Sequence, residues 1–188
     1  MTQSKPHHIG TLSPEMALLG QLYGEPAHGY DLHRKVVADL GQVWHLSQSQ
    51  AYSILKRLEA QGEITAEEIP QEKLPPRQLL HMTSKGRDRF LTWLETPSGG
   101  STRAIRMEFI TRLYFISQYF PDKLAHSFEL QRLEAKTHIK RLEKNRSELP
   151  AGQVYNRMSL DLRMKQLKTT LVWLDECQKN FRHRKNDS

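Results

Sequence analysis

Hydrophobic positions recur along most of this chain at intervals of three and four residues, the period of a helix that buries one face. The clearest instance follows Ser47, where Ala51, Ile54, Leu55 and Leu58 form a stripe and Gln48, Ser49, Tyr52, Ser53, Lys56 and Arg57 take the remaining positions. Gln50 stands three residues after Ser47, the spacing at which a hydroxyl and an amide each satisfy an orphan backbone N–H at a helix start. The pattern predicts a helix from Ser47, closed by Gly62 as the residue after its C-cap. Beyond it, Ile64 to Ile69 and Gln78 to Met82 read as two short strands joined by PQEKLPPR.

Two more helices precede this one. Ser13, Pro14 and Glu15 supply a cap, a first-turn proline and an acid, followed by apolar Met16, Leu19, Leu22 and Tyr23 as far as Gly24. Pro26 and Gly29 bracket a turn, and Tyr30 to Leu40 forms the next helix, with Leu32, Val36, Val37 and Leu40 as its apolar side and Gly41 as its stop. Residues 1 to 11 read as a loose arm. Three closely spaced helices and a two-stranded hairpin make a winged helix-turn-helix, in which the third helix and the wing face nucleic acid.

The rest is helical. Thr83 opens a fourth helix with Phe90, Leu91, Trp93 and Leu94, and TPSGGST then breaks the pattern as a boundary between two halves. Ile105, Phe109, Leu113, Ile116 and Phe120 mark a fifth helix, and Asp122 caps a sixth that runs to Glu148. In the last helix Leu160, Met164, Leu167, Leu171 and Leu174 follow a near-heptad seam, which implies a partner helix. The fold class is therefore mainly α: a winged helix-turn-helix over 12–95 and an all-helical antiparallel dimerisation domain over 103–183.

Composition narrows the function classes. The 188 residues carry a net charge of +7, which favours polyanionic partners, and a single cysteine, Cys177, which rules out an intrachain disulfide and a Cys-based zinc site. Residues 1–95 hold ten Lys and Arg against eleven Asp and Glu, while residues 96–188 hold eighteen against ten. Screening within about 8 Å makes local arrangement decisive, and Lys56, Arg57, Lys73, Arg77, Lys85 and Arg87 cluster on the third helix, wing and following turn. His28 and His33 do not share a helix face, and His7 and His8 lie in the arm, so no metal is expected. No apolar run is long enough to cross a bilayer and no secretory h-region opens the chain; a cytoplasmic location is expected. With no phosphate loop, nucleophile motif or paired carboxylates, an enzyme is not expected, and no cofactor is implied.

LSPEMALLGQLYGEPAHGYDLHRKV, Trp44 with Ser47, AYSILKRLEAQGEI and MTSKGRDRFLTWLE, in that order, resemble the PadR-like bacterial transcriptional regulators over most of residues 12–95. Ser49 and Ser53 stand where that family usually has Gly and Pro, and Pro75 and Pro76 replace a glycine-rich wing tip, so base specificity does not transfer. RMEFITRLYF and LVWLDE resemble the helical C-terminal domain of longer members, including the virulence-activator type. The resemblance implies a homodimeric regulator, a repressor, on double-stranded DNA with two-fold related half-sites, answering to a small aromatic or hydrophobic effector. An effector-independent DNA- or RNA-binding interaction factor is the alternative.

Residue by residue, Gln48, Ser49 and Gln50 stand where base edges are read, Ser47 joins them at the DNA-facing helix N-terminus, and Tyr30, Tyr52, Lys56, Lys73, Arg77 and Lys85 stand where phosphates are held. Leu160, Met164, Leu167, Leu171 and Leu174 form the dimer seam, and Trp93, Phe109, Tyr114 and Trp173 flank the junction between the halves as an effector pocket.

Overall fold

The computed structural model describes residues 12–70 and 77–186, with side chains through Phe181. The arm at 1–11, Lys73 and the Pro75-Pro76 pair lie outside the described residues. The chain divides into two compact units, Met1–Trp93 and Leu94–Ser188. Among the described residues no helix is long and apolar enough to cross a membrane.

The first unit comprises α1 (Glu15–Gln21), β1 (Ala27–His28), α2 (Gly29–Leu40), α3 (Gln48–Ala60), β2 (Ile64–Ile69), β3 (Arg77–Met82) and α4, which starts at Ser84 and ends at Glu95. Pro14 rather than Ser13 occupies the N-cap of α1, and the Ser13 hydroxyl accepts from the Glu15 N–H at 3.3 Å. Leu18, Leu19, Leu32, Leu58, Ile64 and Phe90 are fully buried, each stabilising by about 1.5–3 kcal/mol. Val37, expected on the apolar side of α2, is 43% exposed. Leu32, Val36 and Leu40 already fill one i, i+4, i+8 row, and the next residue round the helix turns away from it.

The wing has three strands, not two. β1 pairs antiparallel with β3, Ala27 opposite Leu80, and β3 pairs antiparallel with β2, giving the order β1-β3-β2. Two residues carry no readable period, which is why β1 is invisible in the sequence.

The end of α3 and the start of α4 close on each other. Gly62 takes φ +69°, so its N–H reaches the Glu59 carbonyl at 2.8 Å and the Glu63 N–H reaches that of Leu58 at 2.9 Å, a complete Schellman cap. Thr83 caps α4 by accepting from the Gly86 N–H at 3.2 Å, and its own N–H donates to the Glu63 carbonyl at 3.0 Å. That same carbonyl leaves no room for a Cβ on Gly86. A half-buried ion network adds to the closure: the Glu15 carboxylate accepts from Arg57 at 3.3 Å and from Arg89 at 2.7 Å, and Arg89 also pairs with Glu63.

The second unit contains α5 (Thr102–Ala104), a π-helical turn (Ile105–Phe109), α6 (Ile110–Tyr119), a 3-10 turn (Pro121–Lys123), α7 (Leu124–Glu148) and α8 (Val154–Asn186). The predicted fifth helix is thus interrupted by a π turn, and Asp122 sits in the 3-10 turn ahead of α7. Arg132 with Asp175 and Arg146 with Asp161 run in opposite order along α7 and α8, so these form an antiparallel hairpin. Ile105, Phe109, Leu113, Phe128, Ala135, Ile139, Leu142, Met164, Leu167 and Leu174 make its core, with Leu160, Leu171, Trp173 and Phe181 packed partly buried around it.

Of the expected dimer seam, Met164, Leu167 and Leu174 are buried in this core within one chain, and Leu160 and Leu171 pack partly buried against it. The boundary segment is held by side chains of the second unit. Ser98 is 1% exposed; its N–H donates to Gln131 Oε1 at 2.9 Å, its carbonyl accepts from Gln131 Nε2 at 3.1 Å, and its hydroxyl accepts from Arg112 at 2.5 Å. Burial lowers Arg112 to about 10, against the opposing pull of Glu108. The Gly/Ser-rich stretch from Ser98 onward is therefore fastened to the second unit rather than slack.

Candidate nucleic-acid interface

The turn before α3 fixes how that helix is presented. Trp44 and Leu46 are buried, and the N–H groups of Val43 and Trp44 both donate to the Leu40 carbonyl, at 2.9 and 2.8 Å. His33 Nε2 donates to the Leu46 carbonyl at 2.8 Å, so α2 holds the residue immediately ahead of the α3 N-cap. Sequence reasoning weighed His33 only as a metal ligand and missed this contact.

Ser47 and Gln50 form the predicted reciprocal cap. The Ser47 hydroxyl accepts from the Gln50 N–H at 3.2 Å, and Gln50 Oε1 accepts from the Ser47 N–H at 3.0 Å. Gln50 thus holds the start of α3, and its Oε1 is shared with the cap. Gln48 and Ser49 are exposed at the open end of the helix, and Ser49, Tyr52, Ser53 and Lys56 continue the same exposed face.

Tyr52 packs at the start of α2. A Cβ on Gly29 would stand 3.0 Å from Tyr52 Cε1, so the ring lies directly against the backbone of the residue before Tyr30. Both tyrosines remain about half exposed, Tyr30 at 53% and Tyr52 at 47%. Arg77 is exposed at the foot of β3, opposite Ile69. On the wing, His81 Nε2 lies 3.0 Å from Glu67 Oε2, and His28 Nδ1 donates to the Gln78 carbonyl at 2.8 Å.

Three basic residues of the sequence cluster have other work. Lys85 Nζ donates to the Gln61 carbonyl at 2.6 Å and so caps the C-terminal end of α3, where a cation suits the helix dipole. That end is roughly 20 Å from Gln48 at a rise of about 1.5 Å per residue, and Lys85 does not join the face around Tyr52. Arg57 pairs with Glu15, and Arg87 donates to the Tyr23 hydroxyl at 3.1 Å with its guanidinium 4.6 Å from that ring's centroid.

The aromatic residues named for an effector divide between the units. In the first, Trp93 stacks on Phe90 with centroids 6.0 Å apart. In the second, Phe109 is 1% exposed and packs edge-to-face on Phe128, Tyr114 packs edge-on to Phe115, and Trp173 lies partly buried against the hairpin core. Phe109 is therefore part of the hairpin core.

Comparison with known proteins agrees with this architecture. Residues 18–91 match the Transcriptional regulator PadR-like family, and residues 105–182 match the Virulence activator alpha C-term family. The Negative transcriptional regulator PadR of Bacillus subtilis (strain 168) is 30% identical over 122 residues, which are 64% of this chain and 66% of that protein, just under two thirds of its length. Among solved structures, Bacillus subtilis PadR in complex with operator DNA is 24% identical, covering 89% of this chain and 98% of that one with a TM-score of 0.44. The smu.1604c protein of Streptococcus mutans UA159 is 22% identical, covering 88% and 98% with a TM-score of 0.44. With a helix-turn-helix and wing in the first unit, and the family's sequence signature across it, residues 18–91 form a domain of the PadR-like family of transcriptional regulators.

Proposed function

We propose that this protein is a homodimeric repressor that binds a two-fold related DNA site and releases it in response to a small aromatic or hydrophobic effector. The observation that carries the reading is the exposed polar face of α3, with Gln48 and Ser49 at its open end and Tyr30, Tyr52 and Lys56 beside it. A major groove about 12 Å wide admits such a helix end-on, and an amide at the Gln48 position satisfies the donor and acceptor of an adenine edge together. Tyrosine hydroxyls, Lys56 and Arg77 then hold phosphates on either side, fixing register without reading sequence. Repression is the role named for the Bacillus subtilis relative.

Dimerisation falls to a different face of α8 from the one the sequence suggested. Tyr155, Met158, Leu162, Lys165, Thr169 and Val172 are spaced alternately by three and four and are all exposed, on the side away from the α7 contact. A second copy of the chain covers this stripe, making residues 103–183 the dimerisation domain and leaving residues 12–95 to bind DNA. Its site of action, the chromosome, is cytoplasmic in bacteria.

Selection of duplexes from a randomised pool tests the core of this reading. Enrichment of an inverted repeat with half-sites about 10 bp apart, or a multiple of that, is expected for a two-fold dimer. A pool without sequence enrichment overturns it. Screening small aromatic compounds against the selected complex tests effector response, and release by none of them leaves a constitutive binder.

A further inference from the structure

At the turn end of the α7–α8 hairpin lies an open groove of about 470 Å³. Asn145, Asn156, Ser159 and Arg163 give it polar walls, and Leu149 and Leu160 are its less exposed apolar members. Glu148 also borders it, with Lys144 Nζ 3.8 Å from its carboxylate. The volume is in the range of small-molecule sites, which combine apolar surface with a few convergent polar groups.

Arg163 links the groove to the boundary segment. Its Nη2 lies 3.5 Å from His138 Nε2, so two basic side chains from the two helices meet, and Arg141 and Glu134 act on the same imidazole. Burial, followed by Arg141 and Arg163, holds His138 below its ordinary value, with Glu134 acting the other way. The imidazole is thus neutral at pH 7 and accepts from Arg163. On its other side Gly100 packs so closely against the His138 ring and Cβ that it leaves no space for a side chain.

We propose that this groove binds a small organic anion, its charge on the Arg163 guanidinium and its apolar part against Leu149 and Leu160, and that binding draws Arg163 off His138 and loosens the seat of Gly100. A planar guanidinium pairs with a carboxylate through two parallel hydrogen bonds, and the side chains of Asn145 and Ser159 supply donors for its remaining lone pairs, while Asn156 Nδ2 already donates to Gln153 at 2.8 Å. A neutral histidine is a weak competitor for such a cation. The consequence for DNA rests on the effector-responsive reading above, whereas binding itself does not.

The full chain, without DNA, is titrated calorimetrically at constant ionic strength with benzoate, with benzamide as its neutral counterpart, and with inorganic phosphate. Saturable benzoate binding is expected, weaker by roughly tenfold or more in Arg163→Gln, the scale of one charge-assisted pair, and retained in Lys140→Gln. Benzamide and phosphate bind more weakly than benzoate. No saturable benzoate binding, equal affinity in Arg163→Gln, or phosphate binding as tightly as benzoate each overturns the site. Amide hydrogen exchange at residues 99–101 rises in bound protein; unchanged exchange overturns the coupling to Gly100. Because DNA is absent, failure here is distinguishable from failure of the operator experiment, which reads α3.

Discussion

Replacing Met158 and Leu162 together by Glu separates the two candidate dimer faces of α8. Both side chains stand free within one chain, at 61% and 58% exposed, so covering them in a dimer adds about three-fifths of a full burial, or about 1–2 kcal/mol each. Four such side chains per dimer contribute about 4–8 kcal/mol, and at about 1.4 kcal/mol per tenfold their loss weakens association by roughly 10³ to 10⁶. The charges add to this, because a carboxylate facing its own symmetry mate is poorly solvated. Sedimentation velocity over a wide concentration range should show monomers with undiminished helix content. The contrasting substitution is Leu167→Ala, where the side chain is 2% exposed and meets α7 of its own chain. It should lower unfolding stability by about 2–5 kcal/mol and leave the dimer intact while folded. A dimeric Glu double variant alongside a folded but monomeric Leu167→Ala would refute the assignment of faces.

Other outcomes follow from the first unit and the hairpin. Gln48→Ala should relax base preference by about 1–3 kcal/mol at one position of the site, whereas Gln50→Ala should lower thermal stability by about 1 kcal/mol through loss of the reciprocal cap and leave preference unchanged, as competition binding and melting would show. Arg89→Met strands Glu63 and leaves Glu15 with Arg57 alone, their side chains being 7% and 13% exposed, and denaturant unfolding should record a loss of about 1–3 kcal/mol after discounting for the partly exposed arginine. His138 titrates below its unfolded value in the native state, so the unfolded chain binds the proton first; stability is full above about pH 6.5 and falls as pH drops below it. His138→Gln should flatten that part of the stability profile in chemical denaturation between pH 5 and pH 8.

The sequence disclosed what local periodicity and capping control. The start of α3 at Ser47, its end at Gly62 and the span of β2 are all decided within a few residues of the chain. What it concealed depends on distant partners. Leu160 to Leu174 were legible as an apolar seam, but a seam says only that some helix covers it, and α7 of the same chain serves. Gln50 was legible both as a cap and as a reader of bases, and the structure shows the cap. Lys85 and Arg57 count as positive charge in any tally, yet one caps a helix and the other pairs with Glu15, forty-two residues away. His33 offered no signal at all, since a side chain bonded to a backbone carbonyl leaves no spacing rule behind.

The short strand β1 has an effect on what can vary in this protein. It sets Ala27 and His28 against Leu80 and Leu79, so one ladder ties Tyr30, at the head of α2, to Arg77, at the foot of β3. A change in the number of residues between Ile69 and Arg77 leaves that ladder, and with it the distance from Tyr30 to Arg77, as it is. An insertion between Gln78 and Leu80 does the reverse, turning the whole strand over and carrying Arg77 with it. Relatives sharing this ladder are therefore free to diverge in hairpin reach, like a caliper whose jaws are fixed and whose pointer is not.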